Sequence, residues 1–186
     1  LLGELKGIYR QALECVPLHT LNSEQRRRIL NSKLVLKVKR DENGKVTKRK
    51  TRLVACGNQS VQGVHHDHTH APGMSALTLR MIVALATGMR RIIHSFDLEQ
   101  CYLQSKIGQK SAKDLFLRPP RELIIQDING KPVIFKCKGN LYGLASGGAD
   151  SFTRVNSVMI GPEGLNISFG DPCLYAKKNP KFNPFD

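Results

Sequence analysis

The sequence predicts an α+β domain, and three observations carry that reading. Segments of period-two alternation, rich in β-branched residues, stand beside apolar segments of helical spacing, in an order that suits α+β rather than a repeating unit. At 40% hydrophobic and 24% charged residues, the 186-residue chain can bury a core and does not read as disordered. No apolar run approaches the roughly 18 to 20 residues that cross a bilayer, so a membrane partner is not expected.

The elements follow in chain order. Residues 4–16 set Leu5, Ile8, Ala12 and Val16 on one side of a helix. The stretch KLVLKVKRDENGKVTKRKTRLVAC, residues 33–56, reads as a β-hairpin. Leu34, Leu36 and Val38 alternate with Val35, Lys37 and Lys39, which suits a strand with one buried and one basic face. Asp41-Glu42-Asn43-Gly44 supplies the turn, since Asn-Gly reaches positive φ at little cost. On the return strand Lys48, Lys50 and Arg52 share a face, so the hairpin carries two rows of cations. Ser75 can cap a helix through ALTLRMIVALAT that Gly88 ends; apolar nearly all round, it is expected in the core. RIIHSFDLEQCYL, residues 91–103, is expected as a strand, with Ile93, Ser95 and Asp97 on one face. DLFLRPP and KPVIFKCK read as short strands, and LYGLASGG as a turn into a helix bearing Phe152, Val155 and Met159. The tail NISFGDPCLYAKKNPKFNPFD begins as strand or loop, and no internal repeat is visible.

Charge and cysteines narrow the partners. Of the net +14, residues 26–52 supply +10, with twelve Lys or Arg against Asp41 and Glu42. Such a block suits a polyanion, because neutralising phosphates releases condensed counterions; a solvated basic face is the plainer alternative. Cys15, Cys56, Cys101, Cys137 and Cys173 are far apart and odd in number, a pattern of reduced thiols in an intracellular, cytoplasmic or nuclear protein. The chain has no signal-peptide layout, and its start at Leu1 reads as a piece of something longer. HHDHTHAPG, residues 65–73, raises the question of a metal. His66, His68 and His70 would share a face if extended, but residues two apart on one strand seldom converge on a tetrahedral ion. A loop that collects histidines is the better reading.

Several stretches together resemble the reverse transcriptase of copia-like retrotransposons. KLVLKVKRDENGKVTKRKTRLVACG is similar to that family's opening hairpin, and GVHHDHTHAPG stands where the family has Gly-x-Asp-Tyr-x-x-Thr-Phe-Ala-Pro-Val. HSFDLEQCYLQSKI resembles Gln-Met-Asp-Val-x-x-Ala-Phe-Leu-Asn-Gly, LYGLASGGA resembles Leu-Tyr-Gly-Leu-Lys-Gln-Ala-Pro-Arg, and DPCLY is the family's Asp-Pro-Cys-Leu-Tyr. The resemblance runs in order from about Glu4 to Tyr175.

It implies a partial right-hand polymerase fold: a fingers β-hairpin, then the front of a palm with antiparallel sheet and packed helices. Residues 1–74 would be the N-terminal helix, fingers hairpin and His-rich loop, and 75–186 an incomplete palm. The implied chemistry joins a primer 3′-hydroxyl to the α-phosphate of a deoxynucleotide on an RNA template, with Mg²⁺ or Mn²⁺ held by carboxylates. Asp97 corresponds to the first catalytic, metal-binding aspartate. Tyr102 aligns with the aromatic that excludes a 2′-hydroxyl, and Lys50 and Arg52 with cations that grip the triphosphate. Lys37, Lys39 and Lys48 complete the nucleic-acid face. In the family the histidine loop carries no metal, and His66 and His70 fall at aromatic positions.

The departures matter equally. No Tyr-x-Asp-Asp turn follows Asp171–Tyr175 before Asp186, so the family's other two catalytic aspartates are missing. Glu99, on the expected face of Asp97, does not replace them. Lys-Gln-Ala-Pro-Arg is here Ala145-Ser146-Gly147-Gly148-Ala149, Leu34 replaces a Trp and Cys56 a Lys. The chain is therefore expected to be inactive alone, either a polymerase piece of a longer polyprotein or a non-catalytic nucleic-acid-binding remnant.

Overall fold

In a computed structural model, the structure describes residues 12–108, 114–123, 125–162 and 164–177. They fall into two compact units, Leu1–His70 with Gln100–Ser151, and Ala71–Glu99 with Phe152–Asp186. The α+β expectation holds.

The first unit is built on a five-stranded sheet, with the short helix α1 (Ser23–Arg27) just before its second strand. Its strands are β1 (Leu13–Pro17), β2 (Ile29–Arg40), β3 (Val46–Ala55), β4 (Phe116–Arg118) and β5 (Val133–Cys137), in the order β1-β5-β4-β2-β3. All neighbours are antiparallel except β2 and β4, which run parallel. Alternation divides the apolar side chains between the faces: Leu117, Phe135 and Cys137 join Leu13, Leu53 and Leu141 in the main core, while Phe116 and Ile134 meet Leu21 on the other side. Burial pushes the Cys137 thiol up to about 12, which makes it an inert core residue.

Residues 13–17 are a strand, not the end of a helix; residues 4–11 of that expected helix lie outside the described residues. Tertiary pairing overrides the helical spacing here. The strand β5 is buried at four of its five positions and takes β1 as its outer neighbour, with Cys15 opposite Phe135. Pro17 lacks the N–H to extend either a helix or a ladder.

The hairpin forms as expected, with a refinement at its turn. Only Gly44 has positive φ (+78°), and Asp41 organises the turn by accepting the N–H groups of Asn43 and Lys45 at 3.0 and 2.9 Å. The same device recurs at Asp127-Ile128-Asn129-Gly130-Lys131, where Asp127 accepts from Asn129 and Lys131, both at 2.8 Å. Leu34 packs on the core, but Leu36 and Val38 are 68% and 48% exposed. The expected buried face thus stops at the base of the hairpin, where the rest of the sheet stops, and the distal strands project.

The second unit holds the helix α2 (Ala76–Gly88), whose N-cap Ser75 accepts the Thr78 N–H at 3.0 Å, and the short pair β6 (Asn166–Ile167) with β7 (Tyr175–Ala176). The DPCLY turn fastens the start of α2. Asp171 accepts the N–H of Ser75 through one carboxylate oxygen and that of Cys173 through the other, both at 2.9 Å, and the Cys173 thiol donates to the Pro72 carbonyl. Hydrogen bonds from Thr78 and from the Ser75 and Cys173 backbone hold the Asp171 carboxyl below its ordinary range.

Two expectations fail in this unit. The helix α2 has the expected span but buries no residue, and Leu77, Leu79, Met81 and Leu85 are all more than half exposed. The expected strand over 91–103 is absent: residues 91–98 have no regular backbone pairing and are exposed. Arg90 and Gln100 bracket the segment in left-handed conformation (φ +53° and +52°), and Cys101–Gln104 turns into the short helix α3. An alternating pattern needs a neighbouring strand to become a strand, and residues 91–98 pair with none.

Candidate nucleotide and template interface

The register of β2 and β3 turns two rows of cations into one array. Lys37 stands directly opposite Lys50, and Lys39 opposite Lys48, while Arg52 faces Val35. Residues directly opposite in an antiparallel pair project to the same side, so Lys37, Lys39, Lys48, Lys50 and Arg52 share one face. All are exposed except Lys50, which is half-buried. Like charges opposite one another are unfavourable in a free hairpin, so this arrangement is one that an anion would relieve.

At the base of the array the cations meet aromatic rings. The Arg52 guanidinium carbon lies 5.4 Å from the centroid of the Tyr142 ring, within cation–π range. The Tyr142 ring in turn lies 6.0 Å from that of Tyr102, tilted by 51°. Backbone docking fixes this geometry. Ala55, at the end of β3, donates its N–H to the Tyr142 carbonyl at 2.8 Å. Gly143 follows with φ +85°, and a Cβ on it would run into the Ala55 carbonyl; one on Gly57 would strike the Gly143 carbonyl. Gly147 begins helix α4 (Gly147–Ile160) and lies against the Tyr102 ring, which a Cβ there would meet at 3.0 Å.

A buried polar network holds Tyr102 from beneath. The Ser105 hydroxyl donates to the Tyr102 carbonyl at 2.8 Å and sits 3.2 Å from the hydroxyl of Ser151. Asn140, fully buried, donates its amide protons to Asp150 at 3.0 Å and to Ser105 and the Lys106 carbonyl, both at 3.2 Å. Sequence reasoning named Arg52 and Tyr102 but missed Tyr142, Asn140 and Asp150. Tyr142 lay inside a recognised string, yet only the fold brings its ring to Arg52. Ser146 and Ala149, where the resembling family has Gln and Arg, are buried and offer no side chain to a ligand at the surface.

Asp97 is exposed on the unpaired segment 91–98 of the second unit. Among the described residues, no group of three or more His, Cys, Asp or Glu side chains is placed to hold a metal ion. The donor set around Asp97 therefore does not fit a two-metal centre as it stands. In the histidine loop, His65 is buried and its Nδ1 accepts the Val61 N–H at 3.0 Å; burial holds the ring below its ordinary pKa. That bond occupies one ring nitrogen in closing the loop.

The first unit thus carries a cation array on β2 and β3 that ends on a pair of aromatic rings. The chain belongs to the reverse transcriptase (RNA-dependent DNA polymerase) family, whose model matches residues 18–179. It is 25% identical over 153 residues to the retrovirus-related Pol polyprotein from transposon TNT 1-94 of Nicotiana tabacum, covering 82% of this chain and 11% of that protein. It is 28% identical over 154 residues to the transposon Ty1-ER2 Gag-Pol polyprotein of Saccharomyces cerevisiae, covering 80% and 8% respectively. The truncated transposon Ty1-A Gag-Pol polyprotein of the same yeast is 27% identical over 154 residues, covering 80% and 11%. The chain thus spans about a tenth of the length of these relatives. No solved structure matches it. Among the described residues, no helix is long and apolar enough to cross a membrane.

Proposed function

We propose that this chain is the fingers hairpin and front palm of a copia-type reverse transcriptase, with residues 1–74 and 75–186 as those two parts. It engages an RNA template with DNA primer through Lys37, Lys39 and Lys48, and the triphosphate of a deoxynucleotide through Lys50 and Arg52, with Tyr102 beside the sugar. The observation that carries the reading is the single cation face of β2 and β3 ending on Arg52 over Tyr142, within a chain of this family. Asp97 is the one metal-binding, catalytic carboxylate in the proposal. Reverse transcriptases use divalent ions, and one carboxylate of an expected three leaves most of the transition-state charge unstabilised. The chain alone is therefore proposed to bind without polymerising, as part of a longer intracellular polyprotein, a setting that its free cysteines suit.

A non-catalytic nucleic-acid-binding remnant is the second reading, favoured by the exposed, unpaired setting of Asp97. Mg²⁺-dependent deoxynucleotide incorporation on a primed RNA template, measured for the chain and for Asp97→Asn, separates the two. The first reading expects no incorporation by the chain alone, and Asp97-dependent incorporation once the adjoining polyprotein segment is supplied. Incorporation that persists in Asp97→Asn sinks the assignment of Asp97. None under either condition, with salt-sensitive binding intact, leaves the remnant.

A further inference from the structure

We propose that Tyr142 is a positioning residue for nucleotide binding, holding the Arg52 guanidinium flat and aimed at the triphosphate; this rests on the function proposed above. Arg52 is on an outer strand, and among the described residues it makes no ion pair with a carboxylate. An exposed arginine without such a partner samples many rotamers, and ordering it on a ligand opposes binding. The Tyr142 ring removes part of that opposition. A guanidinium that lies against an aromatic face keeps its N–H donors in its own plane, pointing outward and available to phosphate oxygens. Tyr142 contacts the cation, not the ligand.

The fold builds this contact deliberately. The Ala55 N–H binds the Tyr142 carbonyl three residues beyond Arg52 on the same strand, so ring and guanidinium share one rigid frame. The Tyr142 ring also lies 6.0 Å from that of Tyr102, and Tyr102 is held by Gly147 and by the Ser105 bond to its carbonyl. Tyr142 is therefore the link between the cation of the hairpin and the aromatic proposed to lie beside the sugar.

The test is a double-mutant cycle on the full chain, using Mg²⁺-dTTP binding by calorimetry, with Arg52→Ala, Tyr142→Leu, Tyr142→Phe and the Arg52→Ala/Tyr142→Leu pair. Arg52→Ala should weaken binding roughly tenfold or more, as for loss of charge-assisted hydrogen bonds. Tyr142→Leu should weaken it about two- to five-fold, the range of an exposed cation–π contact, whereas Tyr142→Phe should match the parent chain. The pair should bind no worse than Arg52→Ala alone, because Tyr142 acts only through Arg52. A ligand-free readout accompanies the cycle: the ring-current shift on the Arg52 side-chain protons should survive in Tyr142→Phe and vanish in Tyr142→Leu. Additive losses in the pair, or an unshifted Arg52 in the parent chain, overturn the inference while leaving the nucleotide site standing. No binding by the parent chain, or indifference to Arg52→Ala, overturns the inference together with the function on which it rests.

Discussion

Replacing Lys39 and Lys48 with threonine should weaken nucleic-acid binding and flatten its salt dependence without harming the fold. The two residues face each other across β2 and β3, and both are exposed. If, with no nucleotide bound to occupy them, Lys50 and Arg52 join Lys37, Lys39 and Lys48 in each neutralising one phosphate of a primed template, the logarithm of affinity should fall with the logarithm of salt at a slope of about −4.5, taking about 0.9 per phosphate. The double variant keeps three of the five, for a slope of about −2.7. Between 50 and 200 mM salt the parent chain should then lose roughly 500-fold in affinity and the variant roughly 40-fold. Stability should move the other way, because a Thr–Thr cross-strand pair removes a like-charge repulsion worth about 0.2–1 kcal/mol. Fluorescence anisotropy of a labelled RNA–DNA hybrid across that salt range measures the slope, and thermal melting measures the fold. An unchanged slope would show that Lys39 and Lys48 do not contact phosphates. A fall in melting temperature would show that these lysines make contacts in the free protein that the cross-strand register does not suggest.

Acid should loosen the second unit through Asp171. Its folded carboxyl pKa is held below the ordinary value, so its contribution is complete above the unfolded value near 4 and is lost as pH falls through the folded one. Urea unfolding from pH 5 to pH 2 should show this loss, and Asp171→Asn should flatten that part of the curve; an unchanged curve in the variant would remove Asp171 as the cause. Gly143→Ala should be more damaging than Gly130→Ala. Both have positive φ, +85° and +72°, which costs about 1–2 kcal/mol for an L side chain, but only Gly143 would drive its Cβ into a carbonyl, whereas Gly130 has open space. Equal unfolding free energies for the two variants would contradict the close docking of the Tyr142 loop on β3.

What could be read in the sequence was what the chain decides locally. The hairpin is legible because alternation and the Asp41–Gly44 turn are written within consecutive residues, and α2 is legible because Ser75 supplies its own cap. Even the repeated Asp-x-Asn-Gly-Lys turn was in plain sight, but its meaning comes from two bonds to one carboxylate oxygen that composition does not display. The failures share one cause, which is dependence on a distant neighbour. Residues 13–17 carry a helical pattern, and the edge of β5 converts them to a strand; residues 91–98 carry a strand pattern, and no strand pairs with them. The candidate site divides along the same line. Its charges were visible as a basic run, whereas their union on one face required the register Lys37 to Lys50 and Lys39 to Lys48. The platform required one step more. Tyr142 becomes Arg52's neighbour only because the Ala55 N–H meets the Tyr142 carbonyl, and that bond exists only where Gly57 and Gly143 let two backbones touch. Glycines that look like loop filler in the sequence therefore determine where the guanidinium lies. A variant that left every charge in place but added one methyl group at Gly143, set against Gly130→Ala for the cost of positive φ, would test that step alone.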